Sequence, residues 1–196
     1  MTTAYLMLRD RRLGRPPIGL PQLGAGVTAL ALVAGCFLHF GFSAEAVIAS
    51  FFVAVLVVLS AIDVRERILP NRIVLPTTAI VLAADLLLAP ERWAEWLLAP
   101  LGAAFFLLAA HLVNPKGMGM GDVKLCLLLG VALGKLVVVA LAVGLLASLV
   151  PALFIVARHG RAARGVRIPF GPFLAVGGTV ALFWGQALLD AYLGTL

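Results

Sequence analysis

Apolar residues run along this chain in blocks of about twenty, too continuous for one-sided surface helices and too long for strands. Seven blocks stand out, at 22–42, 45–63, 72–89, 93–113, 121–134, 136–157 and 169–192, separated by short polar or glycine- and proline-bearing connections. About twenty helical residues at ~1.5 Å each cover a ~30 Å hydrocarbon core, so such blocks read as membrane-crossing helices. The pattern predicts an all-α, polytopic bundle of about seven transmembrane helices. It divides into a basic tail at 1–21 and a single transmembrane domain at 22–196.

Composition agrees: 63% of residues are hydrophobic and 12% charged, with a mean hydropathy of +1.11. A soluble domain carries about 25% charged residues, and the short connections leave no room for a soluble core. The net charge of +6 is a matter of topology. Arg9, Arg11, Arg12 and Arg15 lie in the tail, and Arg65, Arg67 and Arg72 around the second connection. Lys116 and Lys124 flank the turn before the fifth block, and Arg158, Arg161, Arg164 and Arg167 follow the sixth. With seven crossings these 13 of the 15 basic residues share one side. The positive-inside rule makes that side, and the N-terminus, cytoplasmic. Block 121–134 is short, ~21 Å at 1.5 Å per residue. Fusing it with 136–157 would carry the four-arginine connection outside, so two crossings are expected. Basic residues do not interleave with aromatics, and no nucleic-acid partner is expected. Cys36 and Cys126 sit singly in apolar runs and the three histidines are scattered, so no metal site or disulfide framework is indicated.

Against this background two acids are out of place. Asp63 closes the run Phe51–Ile62, and Asp122 follows Gly117-Met118-Gly119-Met120-Gly121 and opens the fifth block. Carboxylates at the edge of hydrocarbon are costly and mark functional sites. Both are expected at the cytoplasmic face, Asp122 capping the start of its helix and Asp63 in the last turn of its own. Two adjacent carboxylates sharing a proton can activate water and polarise a carbonyl, the chemistry of an aspartic protease. By helix dipole alone, Asp122 is expected to be the charged base and Asp63 the proton donor. Gly119 and Gly121 permit a tight turn with close substrate approach, and Lys124 completes the loop; no residue is assigned to substrate binding. Asp85 and Asp190 lie toward the opposite ends of their helices and are read as structural.

These motifs resemble a family. Gly119-Met120-Gly121-Asp122, the earlier Asp63 followed by Leu69-Pro70, and the later Ile168-Pro169-Phe170-Gly171-Pro172-Phe173, in this order, are similar to type IV prepilin peptidases, bacterial intramembrane aspartyl proteases with archaeal preflagellin relatives. The resemblance covers roughly 45–190. It implies Asp63 and Asp122 as catalytic pair, prepilin or pseudopilin precursors as substrates, and removal of a short basic leader, after a glycine and just before a hydrophobic helix, at the cytoplasmic face of the bacterial inner membrane. Water would be the nucleophile, with no cofactor. Larger members carry an insert near the N-terminus with paired CxxC motifs, associated with N-methylation. Here residues 43–45 make a short turn and CxxC is absent, so a short form with peptidase activity alone is expected.

Other readings remain. A small proton- or cation-coupled transporter could use the same two acids, although a relay spreads its acids through the membrane whereas these cluster at one edge. A non-catalytic assembly subunit is a third reading. Pro151-Ala152-Leu153 is shared with presenilin-like proteases, but Ile62 rather than Tyr precedes Asp63, and Pro151 is read as a helix kink. The 158–168 connection is an orienting basic loop, with anionic lipid headgroups as a second possible role. Finally, Arg9–Arg15, an apolar stretch and Leu32-Val33-Ala34-Gly35-Cys36 have the layout of a lipoprotein signal. The apolar run continues past Cys36 through Phe40, so an intact first crossing is expected.

Overall fold

In the computed structural model, which describes residues 20–113, 118–159 and 169–194, seven α-helices follow one another: α1 Leu20–Phe40, α2 Ala44–Glu66, α3 Asn71–Leu88, α4 Trp93–Val113, α5 Met120–Leu133, α6 Val137–His159 and α7 Gly171–Leu193. Single 3₁₀ turns at Pro90–Arg92 and Gly134–Leu136 lead into α4 and α6. These are the seven expected blocks with ends shifted by a few residues. Of the basic tail, residues 1–19 lie outside the described residues, as do Lys116 and Arg161, Arg164 and Arg167.

Six stretches are long and apolar enough to cross a membrane; one of them, Met120–Arg158, contains both α5 and α6. The packing shows that this stretch reverses direction. Along α7, Gly178 faces Leu129 of α5 and Gly185 faces Leu136, whereas Gly177 faces Ala140 and the Phe173–Leu174 backbone faces Gly144 of α6. The chain therefore runs alongside α7 in α5 and returns in α6. Gly134 makes the break with φ 54°, a left-handed conformation that glycine adopts without a Cβ penalty. Two crossings, the first only 14 residues long, are what the charge pattern requires.

A short crossing is tolerated because α5 is surrounded by protein. It packs against α3, α4 and α7, and Leu125, Cys126, Leu128 and Leu129 are at most 1% exposed. A helix apolar on all sides belongs inside a bundle. Small residues bring the backbones together: Gly130 of α5 lies on Pro100 of α4, and Gly177 on Ala140. In lipid, where apolar burial gives little drive, such close contact holds helices together. Conversely Leu98, Leu101 and Phe105 of α4 and Leu146, Val150 and Leu153 of α6 are exposed, giving these helices lipid-facing sides. Cys36 is buried within α1, and Pro151 lies inside α6.

Candidate active site

The three motifs meet at one end of the bundle. Helix α2 brings Asp63 in its last turn, where the Asp63 carbonyl accepts the N–H of Arg67 at 2.9 Å. Arg67 has φ 54°, unusual for a side-chain-bearing residue. That left-handed cap turns the chain sharply, and Leu69, only 8% exposed, comes to rest beside Gly121. A Cβ on Gly121 would stand 3.0 Å from that of Leu69. Glycine at 121 is thus explained by close approach: the Leu-Pro segment after the first aspartate packs directly against the turn that carries the second.

Asp122 is not the helix cap. Helix α5 starts at Met120 with Gly119 as N-cap, so Asp122 stands one turn in, and its Oδ2 reaches back to accept the Gly119 N–H at 3.1 Å. This is the return arm of a capping box. Short residues at 119 and 121 leave room for the carboxylate to fold back, which a sequence reading of Asp122 as the first helical residue misses.

Asp63 is held from across the chain. Its Oδ2 accepts the backbone N–H of Gly171 at 2.9 Å, the first residue of α7. A Cβ at 171 would stand 2.7 Å from that oxygen, so the glycine of Pro169-Phe170-Gly171-Pro172 is required for contact with Asp63. Pro172 lacks an N–H, and at the start of a helix that costs nothing. The dipole-based expectation for the two acids fails here. Asp63 ends its own helix but docks on the N-terminus of α7, so both carboxylates meet helix N-termini and the helix ends do not distinguish base from donor.

Both acids are buried, Asp63 at 6% and Asp122 at 7% exposure. They interact electrostatically with each other. Among the described residues each has one oxygen engaged by a single backbone N–H, with no cation in contact and no donor on its Oδ1. Helices α2 and α5 converge on α7, where Gly178 lies between Leu56 and Leu129. The arrangement is two carboxylates on separate helices, each fixed by one hydrogen bond and each with an oxygen left for water or a carbonyl.

Lys124 is engaged by another partner: its Nζ donates to Asn71 Oδ1 at 2.8 Å, tying α5 to the start of α3. His111, at the end of α4, has Nδ1 2.8 Å from the carbonyl oxygen of Met118 and anchors the entry to the glycine turn. Asn71 and His111 carried no signal in spacing or charge; Leu69 and Gly171 did, the one in the Leu-Pro motif after Asp63 and the other as a glycine framed by prolines. Asp190 accepts from Gln186 Nε2 at 2.8 Å near the opposite end. Asp85 borders a separate cavity of about 250 Å³ there, beside Glu45 and Arg92.

A model of the type IV leader peptidase family matches residues 50–156. A prepilin leader peptidase/N-methyltransferase of Xanthomonas campestris pv. campestris is 33% identical over 204 residues, covering 97% of this chain and 68% of the relative. Proteins of the same name from Stutzerimonas stutzeri and Bacillus subtilis are 36% and 29% identical, covering 79% and 86% of this chain and 55% and 68% of theirs. The chain thus spans between about half and two thirds of the length of these curated relatives. No solved structure matches it significantly. With the matched region running from within α2 through most of α6, and thus including Asp63 and the glycine turn, this multi-pass helical membrane protein belongs to the type IV leader peptidase family.

Proposed function

We propose that the protein is an aspartic endopeptidase that removes the short basic leader of prepilin-like precursors, with Asp63 and Asp122 as the catalytic pair. The observation that carries this is the convergence of two buried carboxylates, each held by one backbone N–H and neither neutralised by a described cation. In the working state one carboxylate is charged and the other protonated, as close pairs of acids favour. The charged one takes a proton from water as the oxygen attacks the scissile carbonyl carbon, and the protonated one donates to the carbonyl oxygen. Collapse of the tetrahedral diol breaks the C–N bond, the departing amine takes a proton from the pair, and one water has been consumed. Burial strengthens these electrostatic interactions by excluding bulk solvent.

Cleavage takes place at the cytoplasmic face of a bacterial inner membrane. Supporting that orientation, Arg65, Arg67, Arg72, Lys124 and Arg158 all lie at or near helix ends on the Asp63 side, while Arg92 and Lys135 lie at the other with Glu45, Glu91 and Glu95. The tight Phe40–Ala44 turn between α1 and α2 favours a peptidase without the methyl-transfer step named in the longer relatives. S-adenosylmethionine and cleaved pilin should then give no methylated product; transfer would refute that part. A proton or cation relay through the same acids gains no support from the family.

The test is co-expression with a prepilin-class precursor from the same genome, following leader removal on a gel. Wild type should cut, and Asp63→Ala and Asp122→Ala should leave the precursor intact while reaching the membrane in normal amount. Cutting by either variant would remove that residue from the mechanism.

A further inference from the structure

Beside the catalytic end the bundle opens into a cleft of about 880 Å³ between α1, α2 and α7. Helix α1 packs along α2 and meets α7 where Gly35 contacts Phe183. Nearer its N-terminus, between Leu32 and Ala25, the three helices line a cleft instead of closing on one another.

Three features connect this cleft to the chemistry. First, it runs beside the site: Ile62 and Val64 are the chain neighbours of Asp63, Pro172 follows the Gly171 that holds Asp63, and all three line it, although neither carboxylate does. From there it follows α2 back to Leu56, roughly 15 Å from Glu66 at 1.5 Å per residue. Second, among the described residues its only charged lining residues are Arg65 and Glu66, both near the catalytic end of α2. The polarity order, charged rim and then uncharged wall, is that of a segment whose charges precede its apolar helix. Third, its walls include small residues on all three helices, among them Gly26, Ala29, Ala61 and Ala175, and a Cβ added at Gly26 meets nothing within 4 Å. Small walls let another helix backbone approach closely, the contact by which helices associate in lipid.

We propose that this cleft is the docking groove for the apolar helix that follows the scissile bond of the precursor, seated between α1, α2 and α7 while the basic leader stays at the charged rim. This rests on the leader-peptidase reading. It accounts for how a bond can be presented to a buried carboxylate while the rest of the substrate remains in the membrane: the helix lies along α2, and its N-terminal end arrives at Asp63. Remote binding of this kind stabilises the positioned substrate and appears in kcat/KM.

The test uses the full chain in membranes with a co-expressed precursor. Photoreactive p-benzoylphenylalanine is placed at Ala61 or Val176 in the groove, or at exposed Leu101 on α4, in an Asp122→Asn background that leaves precursor uncut. Groove positions should crosslink to the first ~10 residues after the cut, the ~15 Å that the cleft accommodates, and Leu101 should not. In parallel, Gly26→Trp, which fills open space, should lower kcat/KM on the whole precursor about tenfold while a soluble peptide ending a few residues after the cut is processed within about twofold of wild type. If wild type cuts but groove positions capture only lipid, or Leu101 captures precursor equally well, the groove is wrong and the peptidase stands. Equal loss on both substrates in Gly26→Trp also overturns the groove. If wild type does not cut, the peptidase reading fails and takes the groove with it.

Discussion

Glu95 at one end of the bundle and the Asp63–Asp122 pair at the other are held in opposite ways. At the far end Glu95 has both oxygens occupied: Oε2 receives Arg92 Nε and Nη2 at 3.1 and 2.9 Å, and Oε1 receives the Lys135 N–H at 2.9 Å. It closes the turn between α5 and α6. At the other end Asp63 and Asp122 are more deeply buried, yet among the described residues each accepts only one backbone N–H. A half-buried acid engaged by a cation and an amide is a structural tie. One fixed by a single N–H is oriented and keeps an oxygen for another partner. Glu95 and the Asp63–Asp122 pair thus differ in partner inventory as well as in burial.

Substitutions at the two ends should separate in the same way. The largest effect is expected from Asp63→Asn or Asp122→Asn, each lowering cleavage by at least ~10²–10⁴-fold, the range for loss of an acid–base group. Glu95→Gln should leave the cleavage rate within about twofold, because only acids at the reacting centre contribute transition-state stabilisation. Parallel time courses on one precursor check both, and comparable losses at the two ends would erase the distinction. Next is Gly171→Ala, whose methyl would press on Asp63 Oδ2 at 2.7 Å. Cleavage should fall about 10–100-fold with the protein still inserted, since an ångström of misplacement costs that much; wild-type rates would mean that Asp63 is not held where the Gly171 contact puts it. A smaller loss, about two- to tenfold, is expected for Asn71→Ala or Lys124→Met, corresponding to ~0.5–1.5 kcal/mol for one hydrogen bond linking α5 to α3. Initial rates should show the two changes non-additive, because they remove the same bond. The smallest effect is on stability at the far end: Arg92→Met should shift the unfolding midpoint in detergent by no more than the ~0–1 kcal/mol typical of an exposed pair, with cleavage unchanged.

Much of this was legible in the sequence. Seven apolar blocks became seven helices, because membrane crossing imposes length and apolarity directly on the chain. The short α5 and a reversal after it followed from counting arginines; that Gly134 makes the break did not. Asp63 and Asp122 stood out because charge in hydrocarbon needs a reason. What was hidden depends on contacts between distant segments. Gly171 sits 108 positions from Asp63, and nothing local says that its N–H ends on that carboxylate. Leu69 is part of a motif in the sequence, but its place under Gly121 is not written there. The helix-end expectation failed for the same reason: α2 was visible as the helix Asp63 terminates, but α7, on whose N-terminus it docks, comes from the other end of the chain. Asn71 and His111 are ordinary polar residues whose roles arise only from where α3 and α4 begin and end.

The central claim, that Asp63 and Asp122 act as one unit, is tested most directly with purified protein and a fluorogenic leader peptide. Rates are compared for wild type, Asp63→Asn, Asp122→Asn and the double variant. Residues that form one catalytic unit are grossly non-additive. Each single variant should therefore fall to the same floor as the double. A single variant retaining much of the wild-type rate, or a double variant slower than either single by the product of their separate losses, would contradict the paired mechanism.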